Sequence, residues 1–238
     1  MALYAIGDLH LSLSSDKPMD VFGEGWRDYV QRIRDAFAKL NDDDVIVLCG
    51  DLSWGMSLDE SLEDFKFINA LPGRKLIMKG NHDYWWNTAT KMEKFFAQHE
   101  LTTLEILHNN CKFYGDIALC GTRGWFYELD NQGTHNEKVL LREVGRLETS
   151  LKAAGEREKI VFLHYPPIYQ GYTCPEILRL LRDYGVRQCY YGHLHGASHR
   201  RSIEGEYNGT HFSLVAADIW NLFLKKFAIN VKRYGNLI

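Results

Sequence analysis

Four times in this chain a short apolar run ends in a glycine followed at once by side chains able to bind a metal or move a proton. Leu3-Tyr4-Ala5-Ile6 leads into Gly7-Asp8-Leu9-His10, and Val45-Ile46-Val47-Leu48-Cys49 into Gly50-Asp51. Lys75-Leu76-Ile77-Met78-Lys79 leads into Gly80-Asn81-His82-Asp83, and Arg187-Gln188-Cys189-Tyr190-Tyr191 into Gly192-His193-Leu194-His195. A fifth run, Ile160-Val161-Phe162-Leu163, reaches His164 without the glycine. Runs of this length and branching, bounded by turn residues, read as strands buried on both faces of a helix-covered sheet. Each delivers a polar side chain at its carboxyl end, where open α/β sheets bind their ligands.

Helical periods fill the intervals. Trp26, Tyr29, Ile33, Phe37 and Leu40 recur at steps of three and four, so the spacing predicts a helix beginning near Trp26. Ser57-Leu58-Asp59-Glu60 reads as a capping box for a second helix closed by Pro72-Gly73, and a short helix is expected near 88–97. Gly115-Asp116 separates two short runs, 111–114 and 117–120, that look like a hairpin, which predicts an antiparallel pair or the start of a second sheet. Thr134 opens a longer helix with Leu140, Val144, Leu147 and Leu151 on one face, and Thr173-Cys174-Pro175-Glu176 caps another. Beyond His199 the chain shows short alternating runs, His211 to Val215 and Lys226 to Val231, which are assigned to the second sheet. With no repeat and no Pro-, Gly- and Ser-rich linker, residues 1–238 are expected to form one domain.

Composition bounds the partners. Twenty-eight Lys and Arg against thirty-one Asp and Glu leave a net charge of −3, which argues against an extended nucleic-acid groove. The five cysteines are odd in number and lack CxxC spacing, as expected of buried thiols in a reducing compartment. No apolar stretch reaches the roughly 18 residues of a membrane span, and Asp8 comes too early for a signal-peptide core, so a cytoplasmic location is expected.

In extended chain, residues two apart project to the same side, so Asp8 with His10, and His193 with His195, can each converge on one small volume. Asp51 offers two carboxylate oxygens and can bridge two cations, Asn81 supplies a neutral amide oxygen, and His164 another nitrogen. Two carboxylates against two divalent ions leave the filled site about +2, suited to an anionic substrate. Mixed imidazole and oxygen ligation without thiolate suits Mn, Fe or Zn and does not decide among them. Two metals roughly 3.5–4 Å apart would activate a water and clamp both ends of an in-line displacement.

The ordered blocks Gly7-Asp8-x-His10, Gly50-Asp51, Gly80-Asn81-His82-Asp83, His164 and Gly192-His193-x-His195 closely resemble the signature of the calcineurin-like metallophosphoesterases. The resemblance implies an α/β fold of four layers, an α/β/β/α sandwich of two mixed sheets flanked by helices. It also implies a dinuclear-metal phosphohydrolase that cleaves phosphomonoesters or phosphodiesters of small molecules such as nucleotides. One metal would be held by Asp8, His10, Asp51 and His195, the other by Asp51, Asn81, His164 and His193. His82 matches the family's proton donor to the leaving oxygen, and Asp83 the carboxylate that orients it.

Departures from the family's branches narrow the substrate. Protein Ser/Thr phosphatases follow the bridging aspartate with Asp-Arg-Gly and end the third block with Glu, whereas this chain has Trp54-Gly55 and Asp83. The superfamily's nucleases usually carry a further DNA-facing domain, and only about forty residues follow the last block here. A non-catalytic scaffold of the same fold is the remaining alternative, but such relatives tend to lose the proton donor or a ligand, and here every position is intact. Trp54, Trp85 and Trp86 each follow a motif and are candidates to line the substrate mouth, with core packing the competing reading. Arg123 is a candidate phosphate clamp.

Overall fold

The computed structural model describes residues 1–125, 134–219 and 224–226. In chain order the strands are β1 (Leu3–Ile6), β2 (Val45–Leu48), β3 (Arg74–Ile77), β4 (Leu104–Ile106), β5 (Cys111–Tyr114), β6 (Ile117–Thr122), β7 (Glu158–Leu163), β8 (Ile168–Tyr169), β9 (Tyr172–Thr173), β10 (Gln188–Tyr191), β11 (Gly205–Tyr207), β12 (Thr210–Leu214) and β13 (Lys225–Lys226). The helices are α1 (Tyr29–Phe37), α2 (Leu62–Ala70), α3 (Ala89–Gln98), α4 (Thr134–Ala153) and α5 (Pro175–Asp183). One large sheet has the order β13-β1-β2-β3-β4 and the other β11-β12-β10-β7-β6-β5, while β8 and β9 pair as a separate two-stranded ribbon. Strands β1 to β4 run parallel, as do β6, β7, β10 and β12, while β13, β5 and β11 close the edges antiparallel.

The uninterrupted apolar runs follow from how these sheets are covered. Along β2, Ile46 and Leu48 face α1, α2 and α3 through a core that includes Ile33, Phe37, Phe65, Ile68 and Phe96. Val45 and Val47 point the other way, into a layer between the sheets shared with Leu3, Leu119, Ile160 and Phe162. A third core packs Leu147 and Leu151 of α4 and Ile177 and Leu181 of α5 on Val161, Leu163 and Phe212. Helices, sheet, sheet, helices: both faces of each central strand are dry, which is why alternation is absent from their sequence. The expected four-layer sandwich is the observed one. No helix among the described residues is long and apolar enough to cross a membrane.

The two sheets are stitched together beside the motifs. The Gly7 N–H donates to Val215 O (2.8 Å), and the Gly7 carbonyl accepts from the Ala217 N–H (3.0 Å). The chain leaving β12 is thereby delivered to the first sheet, which explains one departure from expectation: Lys226 pairs with Tyr4 in the first sheet, not the second. The rest of the Lys226 to Val231 run lies outside the described residues.

Other boundaries shift for local reasons. The helix expected from Trp26 begins only at Tyr29, because Met19–Phe22 and Glu24–Trp26 form two 3₁₀ turns and Asp28 adopts a left-handed φ of 52° that interrupts any continuous helix. The Ser57 and Glu60 side chains do accept backbone N–H groups, from Glu60 (3.2 Å) and Met56 (2.8 Å), but on a turn ahead of α2, which starts at Leu62. Likewise α5 is capped by Cys174 with Pro175 in its first position, not by Thr173. β4, only three residues long, has too little pattern to stand out in the sequence.

Candidate metal centre and active site

Every motif side chain sits where a strand stops. Asp8 and His10 follow β1, Asp51 follows β2 and Asn81 follows β3, all in the first sheet; His164 follows β7, and His193 and His195 follow β10, in the second. To turn these side chains inward the backbone takes the left-handed region at Asp8 (φ 60°), His10 (46°), Asp51 (52°) and His193 (72°). Each such non-glycine residue costs about 1–3 kcal/mol and persists where the surroundings over-determine it, typically at functional sites. The motif glycines admit close approach: a Cβ on Gly192 would stand 2.5 Å from Asp8 Oδ2, and one on Gly80 would overlap the Asp51 carboxylate.

Two donor groups result. Asp8, His10 and His195 each offer a ligand atom within 4.8 Å of the others, and Asp51, His164 and His193 do the same. Asn81 joins the second group, its amide oxygen 2.7 Å from His164 Nε2 and 2.8 Å from His193 Nδ1. Asp51 lies between the groups, with Oδ2 3.5 Å from His164 Nε2 and 3.9 Å from His10 Nε2. Its Oδ1 accepts the His82 N–H at 2.8 Å, so of the two oxygens considered for bridging only Oδ2 faces both groups.

The chemistry of these donors fits cations. His164 Nδ1 donates to the Cys49 carbonyl (2.9 Å), so Nε2 presents a bare lone pair to the Asn81 oxygen. His195 Nδ1 is held by Asp218 (3.1 Å), which turns its Nε2 toward Asp8 Oδ1 (3.6 Å) and His10 Nε2 (3.3 Å). Two acceptors facing each other as His164 Nε2 and Asn81 Oδ1 do repel unless positive charge lies between them. Burial holds His164 near 3 and His193 near 2, keeping them neutral, and lowers His10 well below its ordinary value. Burial also raises Asp51 to about 6 and Asp8 well above the carboxylate range. His195 shows the same hunger for charge: burial pulls it down, yet the Asp218 hydrogen bond and the Asp8 charge raise it to about 9.

Comparison with known proteins agrees with this geometry. The sequence profile described as calcineurin-like phosphoesterase matches residues 1–197, which contain every motif above. The chain belongs to the calcineurin-like phosphoesterase family. Among solved structures it is similar to the phosphopantetheinyl hydrolase PptH from Mycobacterium tuberculosis, at 13% identity and a TM-score of 0.61 over 99% of this chain and 98% of that one. It is also similar to a protein of unknown function from Aquifex aeolicus, at 13% identity and a TM-score of 0.51 over 94% and 95% of the two chains. At that identity both show the fold alone. No curated protein sequence matches. Calcineurin-like phosphoesterases use divalent metals, and the two donor groups are candidate sites for them.

Several residues of this phosphoesterase stand elsewhere than the sequence reading placed them. Asp83 does not orient His82. Its Oδ1 accepts from Leu52 N (2.9 Å) and Trp85 Nε1 (3.0 Å), and its Oδ2 from Asp51 N (2.9 Å) and Gly80 N (2.7 Å). It is a buried tie between the ends of β2 and β3, raised to about 7 by burial and by the neighbouring Asp51. His82 Nδ1 is buried with no hydrogen-bond partner. Its ring packs on Trp54 at 4.7 Å instead, and Trp54 stacks on His10 at 4.8 Å.

Trp54 and His82 line a cavity of about 680 Å³ beside the donor groups. Trp85 is fully buried in the core under α2 and α3, and Trp86 leans on Trp85 and His108, so neither lines that cavity. The Arg123 side chain is paired with buried Glu143 (3.3 Å) and lies over Trp125. Its carbonyl receives the N–H of His164 (3.1 Å), so it positions a candidate ligand through its backbone.

Sequence reasoning missed Asp218. Besides His195 it accepts His199 Nε2 (3.2 Å) and Gly196 N (3.0 Å), and against the desolvation that raises it these contacts hold it well below the carboxylate range. Its only signal was its place after an apolar run, His211 to Ala217, with no glycine or second polar residue to mark it. A carboxylate behind a metal-binding histidine fixes its tautomer, and losing it typically costs 10- to 100-fold in affinity. Asp218→Asn should therefore weaken one of two divalent-ion sites by about that factor and spare the other; chelator-competition titrations giving two unchanged affinities would refute the role. Asp83→Asn should act on folding instead. Whichever oxygen the amide replaces, two N–H groups lose their acceptor, for about 2–6 kcal/mol in denaturant unfolding. An Asp83→Asn protein of unaltered stability would restore the orienting role.

Proposed function

We propose that the chain is a dinuclear-metal phosphohydrolase acting on small phosphate monoesters or diesters. The observation that carries this reading is the convergence of two donor groups on Asp51 Oδ2, with His82 on the wall of the adjoining cavity. Asp8, His10, Asp51 and His195 would hold one ion, and Asp51, Asn81, His164 and His193 the other. When bound, the pair supplies a water activated near neutral pH and positive charge on the phosphoryl oxygens.

The protein's own residues do the rest. Asp51, fixed through Oδ1 by the His82 N–H, keeps both donor groups in register with the proton donor. Cys49 O and Asp218 set the tautomers of His164 and His195. With Nδ1 buried and unpartnered, His82 Nε2 is the ring nitrogen available to the cavity. As the P–O bond to the leaving group breaks, that nitrogen gives its proton to the departing oxygen, and Trp54, packed against both His82 and His10, holds the ring in place.

His82 separates binding from chemistry. Removing it should leave folding and metal content unchanged while lowering kcat about 10²–10⁴-fold for an alkoxide-like leaving group, the usual contribution of a general acid. A nitrophenolate departs with less help, so the His82→Ala deficit should shrink on the activated ester. Equal losses on both esters, or loss of bound metal, would remove the acid role.

A further inference from the structure

The cavity beside the donor groups has two unlike walls. His10, His82 and His195 line it toward the donor groups, and Met19, Phe22, Trp26 and Trp54 add an apolar wall beside them, with Trp54 against His10 and His82. The apolar wall comes from the two 3₁₀ turns, Met19–Phe22 and Glu24–Trp26, inserted between β1 and α1, together with Trp54 from the loop after Asp51. Trp26 is 5% exposed, its indole 6.0 Å from the His10 ring and 5.8 Å from the His195 ring, and the Trp54 indole N–H points at Met19 Sδ (3.3 Å). At the rim the pattern reverses: Phe22 is 69% exposed and its neighbour Val21 is 73% exposed, large apolar side chains without a core to enter.

Charge completes the picture. No lysine or arginine is among the described residues that line this cavity. Its one carboxylate, Asp218, is taken up by His195, His199 and the Gly196 N–H. At the surface the Lys17 ammonium lies 5.2 Å over the Trp54 ring. A leaving group carrying a second phosphate, a carboxylate or an ammonium would find no counter-ion inside, and desolvating it there would be costly. An uncharged, apolar group would exchange water for indole, phenyl and thioether surface.

Resting on the hydrolase reading above, we infer that the substrate is a phosphate ester whose leaving group is an uncharged, largely apolar or aromatic alcohol, seated between Trp26 and Trp54 with its oxygen at His82. The volume, about 680 Å³, is ample for a ring system together with the phosphoryl group.

The test compares 2-phenylethyl phosphate, ethyl phosphate and 2-aminoethyl phosphate on the Mn-loaded protein; the first two alkoxides leave with similar difficulty, and the ammonium of the third makes its alkoxide the better leaving group, so a deficit there comes from the pocket. The phenylethyl ester should exceed the ethyl ester at least about 10-fold in kcat/KM, chiefly through KM, since each well-seated apolar increment is worth about 10- to 200-fold. The aminoethyl ester should fall below both. Phe22→Ala, at an exposed position that folding does not depend on, should cut the phenylethyl-to-ethyl ratio several-fold, and Trp26→Phe should cut it as well.

A binding arm needs no turnover: 2-phenylethylphosphonate should perturb the indole fluorescence at concentrations where ethylphosphonate does not. Equal kcat/KM for the two neutral esters, or a ratio unmoved in both variants, would overturn the inference while leaving the hydrolase intact. If neither these monoesters nor their methyl diesters are turned over but the phosphonates still discriminate, the apolar pocket stands and the hydrolase reading falls. If the phosphonates do not discriminate either, both fall.

Discussion

Everything in this molecule answers to a deficit of positive charge in a dry place. Three aspartates and four imidazoles are gathered at the seam between two sheets, with Asp8, Asp51, Asp83 and His164 each no more than 1% exposed. Burial drives the carboxylates up and most of the histidines down in pKa, so the protein presents lone pairs to lone pairs. Such an arrangement is unfavourable by itself and becomes favourable once cations supply the missing charge. The strained backbone at Asp8, His10, Asp51 and His193 is sustained for the same reason: over-determined contacts hold the ligands in positions the chain would otherwise leave.

What over-determines them is a small set of polar ties. Asp83 fastens the turn after β2 to the turn after β3 through four N–H donors. Asp8 accepts the His193 N–H on both oxygens at 3.0 Å, so the first ligand of one sheet fixes the backbone of a ligand from the other. Gly7 exchanges hydrogen bonds with Val215 and Ala217, which brings Asp218 within reach of His195. Ligands on rigid strand ends with hydrogen-bonded partners behind them are held more precisely than ligands on free loops.

The strands, the layers and the donor residues were legible because their signals are contiguous. An apolar run followed by glycine and a donor states burial, strand end and chemistry within nine residues, as Lys75 to Asp83 does. What failed had no such continuity. Asp83 was assigned to His82 through the family resemblance of the third block, yet its oxygens turn to the backbone of Asp51 and Gly80. Trp26 matched a helical period because a 3₁₀ turn also repeats near three residues, which hid its place in the cavity wall. Asp218 reaches the donor group through His195, 23 positions earlier, and nothing local marks that partnership. Trp85 and Trp86 look alike on paper to Trp54, and only packing distinguishes a core indole from one at the cavity.

The central claim is that two ions share Asp51 Oδ2. Electron paramagnetic resonance of the protein titrated with Mn²⁺ reads this directly, because ions roughly 3.5–4 Å apart through a common oxygen are exchange-coupled. At two ions per chain the account predicts the multiline pattern of a coupled pair. The sextet of isolated Mn²⁺ at every loading would contradict it.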